Sequence, residues 1–158
     1  MRLKTILIVL STAVILATSG CSIKPEKKAV TEKEFTSAVE EIGLEVKDDT
    51  KTYSDTVGVV TSLYGLKEDR SESYMFFVFK TAEDAGVQYD ILRIQIGDTE
   101  AKNKFETDFS GTNYSVYKAE FDDLYYHVCL VDNTLFYGSS DKKNKSAIEN
   151  FAKKLGYD

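Results

Sequence analysis

The stretch Ser73-Tyr74-Met75-Phe76-Phe77-Val78-Phe79 carries six apolar or aromatic side chains in seven positions. As a β-strand it sends Tyr74, Phe76 and Val78 to one side and Met75, Phe77 and Phe79 to the other, so both of its faces are apolar. An antiparallel sheet ordinarily meets water on one face. Two arrangements follow: helices cover both faces, or the face away from them presents an aromatic patch with tyrosine hydroxyls as polar handles. Side-chain parity points to the second. Lys80 shares the side of Tyr74 and Phe76, and Lys118 shares the side of Tyr114 and Val116, while a lysine ammonium is almost never fully buried. Met75, Phe77 and Phe79 are therefore expected beneath Phe35, Ile42, Phe151 and Leu155. Tyr74, Phe76, Tyr114, Tyr125 and His127 are expected to form a candidate interaction face, against the competing reading that they are core, where aromatic strand residues are more often found.

Outward from this strand, the β-branched and aromatic runs at 56–64, 113–119, 124–131 and 134–139 read as four more strands. Asp132-Asn133 suits a tight hairpin between the last two, and the charged run 67–72 joins the first two. Thr31 with Glu34 is a capping box ahead of Phe35, Ala38, Val39 and Ile42 at helical spacing, and Gly43 is a left-handed stop. Thr81 with Asp84 opens a second helix through Ala85, Tyr89, Leu92 and Ile96, with Gly97 at its end. Ser140 or Asp141 is expected to cap a third, whose stripe is Ile148, Phe151, Ala152 and Leu155 before Gly156. Short turns demand antiparallel pairing. The expected fold is an α+β domain with one five-stranded antiparallel sheet and about three helices packed on it, in the order α-β-β-α-β-β-β-α.

At the N-terminus, Arg2 and Lys4 precede an uncharged run from Thr5 to Ile23 whose apolar heart ends at Ala17, followed by Thr18, Ser19, Gly20 and Cys21. A basic start, an apolar segment and small residues make a secretory signal. The cysteine directly after Gly20 resembles the lipobox of bacterial lipoproteins, whose cysteine receives a diacylglyceryl group. Thr18 stands where leucine is usual in that motif, with Leu16 two places earlier. An uncleaved anchor is the competing reading, but Ser11, Thr12, Thr18, Ser19 and Gly20 make a poor span at the short end of the roughly 17–25 residues needed. Residues 1–20 are thus read as a lipoprotein signal peptide, 21–30 as the lipidated Cys21 and a flexible tether containing Pro25, and 31–158 as a single domain. The expected place is the extracytoplasmic side of the cell membrane, held by the lipid.

Removing residues 1–20 leaves 18 basic against 26 acidic side chains, a balance of minus eight, which argues against nucleic acid or anionic lipid as the partner. Two cysteines and one histidine are too few for a zinc cage or a disulfide framework, so no metal and no cofactor are expected. No Walker pattern, no Gly-x-Gly-x-x-Gly and no Gly-x-Ser-x-Gly elbow occurs. His127 and Cys129 share one strand face, as a thiol and its base would, yet no oxyanion hole or orienting group is marked, and a buried cysteine is a common core residue. The acidic runs at Asp48-Asp49, at Glu68, Asp69 and Glu72, and at Glu120, Asp122 and Asp123 lack a calcium-loop signature and read as solvated loops.

The lipobox, short tether and small helix-plus-sheet domain, with the hairpin from Asp132 to Leu135 and the Leu155-Gly156-Tyr157 helix end, resemble small lipoproteins of Gram-positive bacteria that have no assigned function. That resemblance implies membrane attachment and brings no catalytic residues. The expected activity is non-enzymatic: a membrane-tethered binding or interaction domain whose partner is an envelope protein or a small ligand. An envelope hydrolase, and an inhibitor or immunity-type protein acting through a sheet face, are the alternatives.

Overall fold

The computed structural model describes residues 25–158. Among these, three α-helices and seven strands follow as α1 (Glu32–Glu41), β1 (Val46–Asp48), β2 (Val59–Leu66), β3 (Glu72–Phe79), α2 (Ala82–Gly97), β4 (Lys104–Ser110), β5 (Tyr114–Phe121), β6 (Leu124–Val131), β7 (Thr134–Asp141) and α3 (Lys145–Leu155). A single 3-10 turn, Lys142–Asn144, leads into α3. All strands join one antiparallel sheet in the order β1-β2-β3-β7-β6-β5-β4. The expected Cys21 attachment point and the leader before it lie outside the described residues.

The five-stranded expectation is therefore corrected to seven strands, and the order of elements changes with it. Both additional strands are sheet edges. β1 is three residues long, too short to show a period. β4 is Lys104-Phe105-Glu106-Thr107-Asp108-Phe109-Ser110, pairing with β5 in full register from Lys104 opposite Phe121 to Ser110 opposite Ser115. Its charge makes it resemble a loop in composition, and charge is a common means of protecting an exposed edge from further pairing.

The local signals act as their chemistry requires. Thr31 Oγ1 accepts from the Glu34 amide at 3.2 Å, while Glu34 Oε2 accepts from the Thr31 amide at 2.8 Å, satisfying two orphan donors of α1. Those bonds, with Lys28 beside them, hold the exposed Glu34 carboxyl down at about 2. Gly43 and Gly156 take φ of +79° and +77° just past α1 and α3, the left-handed region open to glycine. The start of α3 departs from expectation. β7 runs on to Asp141, and Asn144 stands at the N-cap without a side-chain bond to the helix.

Helices lie on both faces of the sheet. α1 and α3 cover one, where Phe35 stacks on Phe76 with ring centres 5.1 Å apart and Phe151 meets Tyr74 at 4.6 Å and Phe136 at 5.6 Å. They come down at two glycines in one row across the strands. A Cβ on Gly65 would lie 2.5 Å from Val39 Cγ1 of α1, and one on Gly138 would lie 2.5 Å from Ile148 Cγ2 of α3. α2 covers part of the other face, packing Ala85, Tyr89 and Ile96 with Phe77, Phe79, Tyr117 and Val128. Beyond its reach Tyr53, Tyr64, Met75, Tyr126 and Tyr137 are half-buried.

The expected facing is thus reversed: Tyr74 and Phe76 meet Phe35 and Phe151, and Phe77 and Phe79 meet α2. Residues 27–30, read as the end of a tether, are docked on the domain. The Lys27 amide donates to Asn113 Oδ1 at 3.0 Å, and Val30 is buried with its amide on the Tyr157 hydroxyl at 2.8 Å.

Candidate functional site

Each member of the expected interaction face sits in the α1/α3 core. Tyr74, Phe76, Tyr125 and His127 are at most 1% exposed, and Tyr114 is buried beneath the ammonium of Lys27, 5.0 Å from its ring centre. No open face is formed by them, because the two helices that seat at Gly65 and Gly138 occupy the same side of the sheet.

His127 and Cys129 share that side, as their spacing implies, but the environment is wrong for an activated nucleophile. The backbone carbonyl of Tyr157 can only accept, so His127 Nε2 must carry the proton it donates across 2.9 Å. Nδ1 is left buried without a partner. Burial, with Lys118 second, pushes the imidazole down to about 4. Burial pushes the Cys129 thiol up to about 12. At neutral pH the pair is a neutral ring and a protonated thiol, the opposite of the charge separation on which thiol catalysis depends.

Polar and aromatic side chains instead converge at a corner of the sheet. α3 crosses β7 and β6 and leaves the ends of β5 and β4 uncovered on its side, where a cleft of about 250 Å³ opens. Register builds its floor. Thr107, Lys118 and His127 lie in one row across β4, β5 and β6, and Phe105, Glu120 and Tyr125 in the next. Phe105, 66% exposed, and Phe109 form one wall from the edge strand; Lys145 and Glu149 of α3 form the other.

The charges there are mostly paired. Glu120 binds Lys142 at 3.2 Å and makes a close contact with Lys145, which lies 3.8 Å from Glu149 and 5.3 Å from the centre of the Tyr125 ring. The Lys145 hydrogen bond holds the Glu120 carboxyl below its ordinary range, and the same bond raises the Lys145 ammonium. Tyr125 donates its hydroxyl to Glu149 at 3.4 Å, and its ionisation is pushed upward, by burial first and by Glu149 second. Lys118 has no carboxylate partner among the described residues. Of the half-buried basic side chains among the described residues, Lys27, Arg93 and Lys145 each have one.

No family model matches this chain, and no curated protein matches it. A crystal structure of a GTP binding regulator from Thermotoga maritima is similar in chain course, with 15% sequence identity, 82% of this chain and 87% of that chain covered, and a TM-score of 0.48.

Tyr125 is the member of the expected face that also lines the cleft; Lys118 entered the sequence reading only as a marker of strand facing and Glu120 only as part of an acidic loop, while Phe105, Thr107, Lys145 and Glu149 were not singled out from the sequence. One signal was available. Phe105, Thr107 and Phe109 alternate with Glu106, Asp108 and Ser110, a period of two that marks a strand with one apolar side.

Proposed function

We propose that this chain is a lipid-anchored protein of the extracytoplasmic membrane surface whose folded part works by binding a ligand and not by catalysis. The observation that carries the anchor is Thr18-Ser19-Gly20-Cys21 directly after a basic start and an apolar run. A diacylated cysteine supplies the two chains that stable attachment requires, which suits a domain whose negative balance gives it no attraction to anionic lipid.

Two features support binding over hydrolysis. The thiol and imidazole with the spacing of a nucleophile and base are sealed and uncharged. The polar groups that do meet in a cleft are lysines and carboxylates already engaged with one another, with a single cation to spare.

The test is incorporation of labelled palmitate and partition into the membrane fraction in a bacterial host. Wild type is expected to take up label and sediment with membranes, and Cys21→Ser to do neither. Label on Cys21→Ser equal to wild type would sink the anchor.

A further inference from the structure

We propose that the corner cleft is a binding site for a small carboxylate with a flat apolar body, its carboxylate on Lys118 and its ring against Phe105 and Phe109. This deepens the binding reading above and rests on it only for the idea that the folded part holds a ligand.

Charge decides the sign of the ligand. Lys118 and Lys145 line the cleft with Glu120 and Glu149, and Lys142 reaches Glu120 from outside it, so that among the described residues Lys118 is the cleft cation without a carboxylate partner. Glu120 is held by two lysines and Glu149 by Lys145 and the Tyr125 hydroxyl, so both carboxylates are engaged and neither invites a cation. The unpaired ammonium is on the floor of the cleft, on a sheet strand, where its stem is already partly buried and less of its freedom is lost on binding. Thr107, directly opposite it on β4, supplies a hydroxyl that can donate to a second carboxylate oxygen.

The walls decide the body of the ligand. Phe105 presents a phenyl ring, 66% exposed, from an edge strand at the mouth of a polar floor, a large apolar surface open to a ligand. The volume of about 250 Å³ lies below the roughly 300–1,000 Å³ of sites for drug-sized ligands, which limits the occupant to about a single ring. Other clefts do not combine a half-buried unpaired cation with an exposed aromatic wall; at 43–47 and 64–70 the cations Lys47 and Arg70 are exposed and Tyr64 is half-buried. Between α2 and β4, Arg93 is paired with both Asp90 and Asp108. In the larger groove between residues 28–30 and α1, Lys28 is paired with Glu34 and Lys154 with Glu41, while Lys33 is exposed and no aromatic side chain lines the walls.

The probe is 4-fluorophenylacetate, observed by fluorine NMR with the full chain in a mild detergent and with micelles alone as the reference. Saturable binding to wild type is expected. It should weaken at least about tenfold in Lys118→Gln and stay within about threefold in Lys118→Arg, since an ammonium–carboxylate hydrogen bond contributes more than a neutral one. The neutral 4-fluorophenylacetamide should bind at least about tenfold more weakly than the acid, and Phe105→Ala should weaken the acid about threefold or more. Equal affinity for acid and amide, or undiminished binding in Lys118→Gln, would overturn the site. So would the absence of saturable binding to wild type at about 10 mM, well above a millimolar dissociation constant. Palmitate uptake at Cys21 is measured independently, so a silent cleft on a labelled chain defeats this assignment alone, and an unlabelled chain that binds the probe defeats the anchor alone.

Discussion

The two faces of the sheet are made from the same kinds of residue and treated in opposite ways. On the α1/α3 face, Phe76, Phe136, Cys129 and His127 have no exposure at all, and two helices are lowered onto glycines. On the α2 face, a single helix covers the middle, and Met75, Tyr126 and Tyr137 are left half-buried beside it. Coverage therefore depends less on how apolar a strand is than on where the sheet lets a helix approach. A strand row with two glycines admits two helices; the row Tyr64, Met75, Tyr137, Val128 and Tyr117 has no glycine and packs with α2 through Val128 and Tyr117.

The largest effect should come from neighbouring residues of β3 on opposite faces. Phe76→Ala removes a ring stacked on Phe35 and is expected to cost about 3–5 kcal/mol, while Met75→Ala, half-buried, should cost about 1–2 kcal/mol. Urea unfolding of both variants measures the difference. Equal losses would mean that the α2 face is as tightly closed as its opposite.

A smaller effect, and one with a pH signature, follows from His127. Its folded pKa of about 4 lies below the ordinary 6.5, so the unfolded chain binds the proton first as pH falls. Stability from this group is therefore complete above about pH 6.5 and declines as pH drops toward 4. A gap of that size corresponds to roughly 3 kcal/mol across the window. Unfolding free energy against pH is expected to slope downward there in wild type and to flatten between 6.5 and 5 in His127→Gln. A wild type that is flat over that interval would show that water reaches the ring.

Much of this architecture was legible residue by residue. Thr31 and Glu34 announce α1, Gly43 and Gly156 end helices, and Asp132, with φ of +49°, turns β6 into β7. The facing of β3 was misread for a physical reason. Lys80 follows the last residue of its strand and Lys118 lies beyond the reach of α3, so each ammonium finds water at the margin of a face whose middle is buried. A lysine at the margin of a sheet, past a strand end or beside an edge strand, reports on that margin alone. The glycines were the better guide, since Gly65 and Gly138 share the parity of Tyr74 and His127 and mark where backbone and helix come close. The corner cleft was out of reach because its parts stand at 105, 118, 125 and 149, and the sheet register and the seat of α3 alone bring them together.

That seat is the subject of the smallest and sharpest comparison, Gly138→Ala against Ser139→Ala, adjacent residues of β7 that point to opposite faces. A methyl at 138 would meet Ile148 Cγ2 at 2.5 Å and Phe136 Cζ at 2.9 Å, closer than real Cβ contacts, so α3 or the Phe136 ring must move. Overpacking of this kind costs about 1–3 kcal/mol, although alanine would otherwise favour a strand position over glycine. Ser139 is half-buried on the α2 face, where its side chain hydrogen-bonds that of Tyr137, and its replacement should change stability by no more than about 1 kcal/mol. Ile148→Ala removes the Cγ2 that the new methyl would strike. Gly138→Ala should therefore cost less in an Ile148→Ala background than in wild type, a positive coupling in a double-mutant cycle read from urea unfolding. If Gly138→Ala is as neutral as Ser139→Ala, and the cycle shows no coupling, then α3 does not rest on this glycine, and the contrast between the two faces needs another cause.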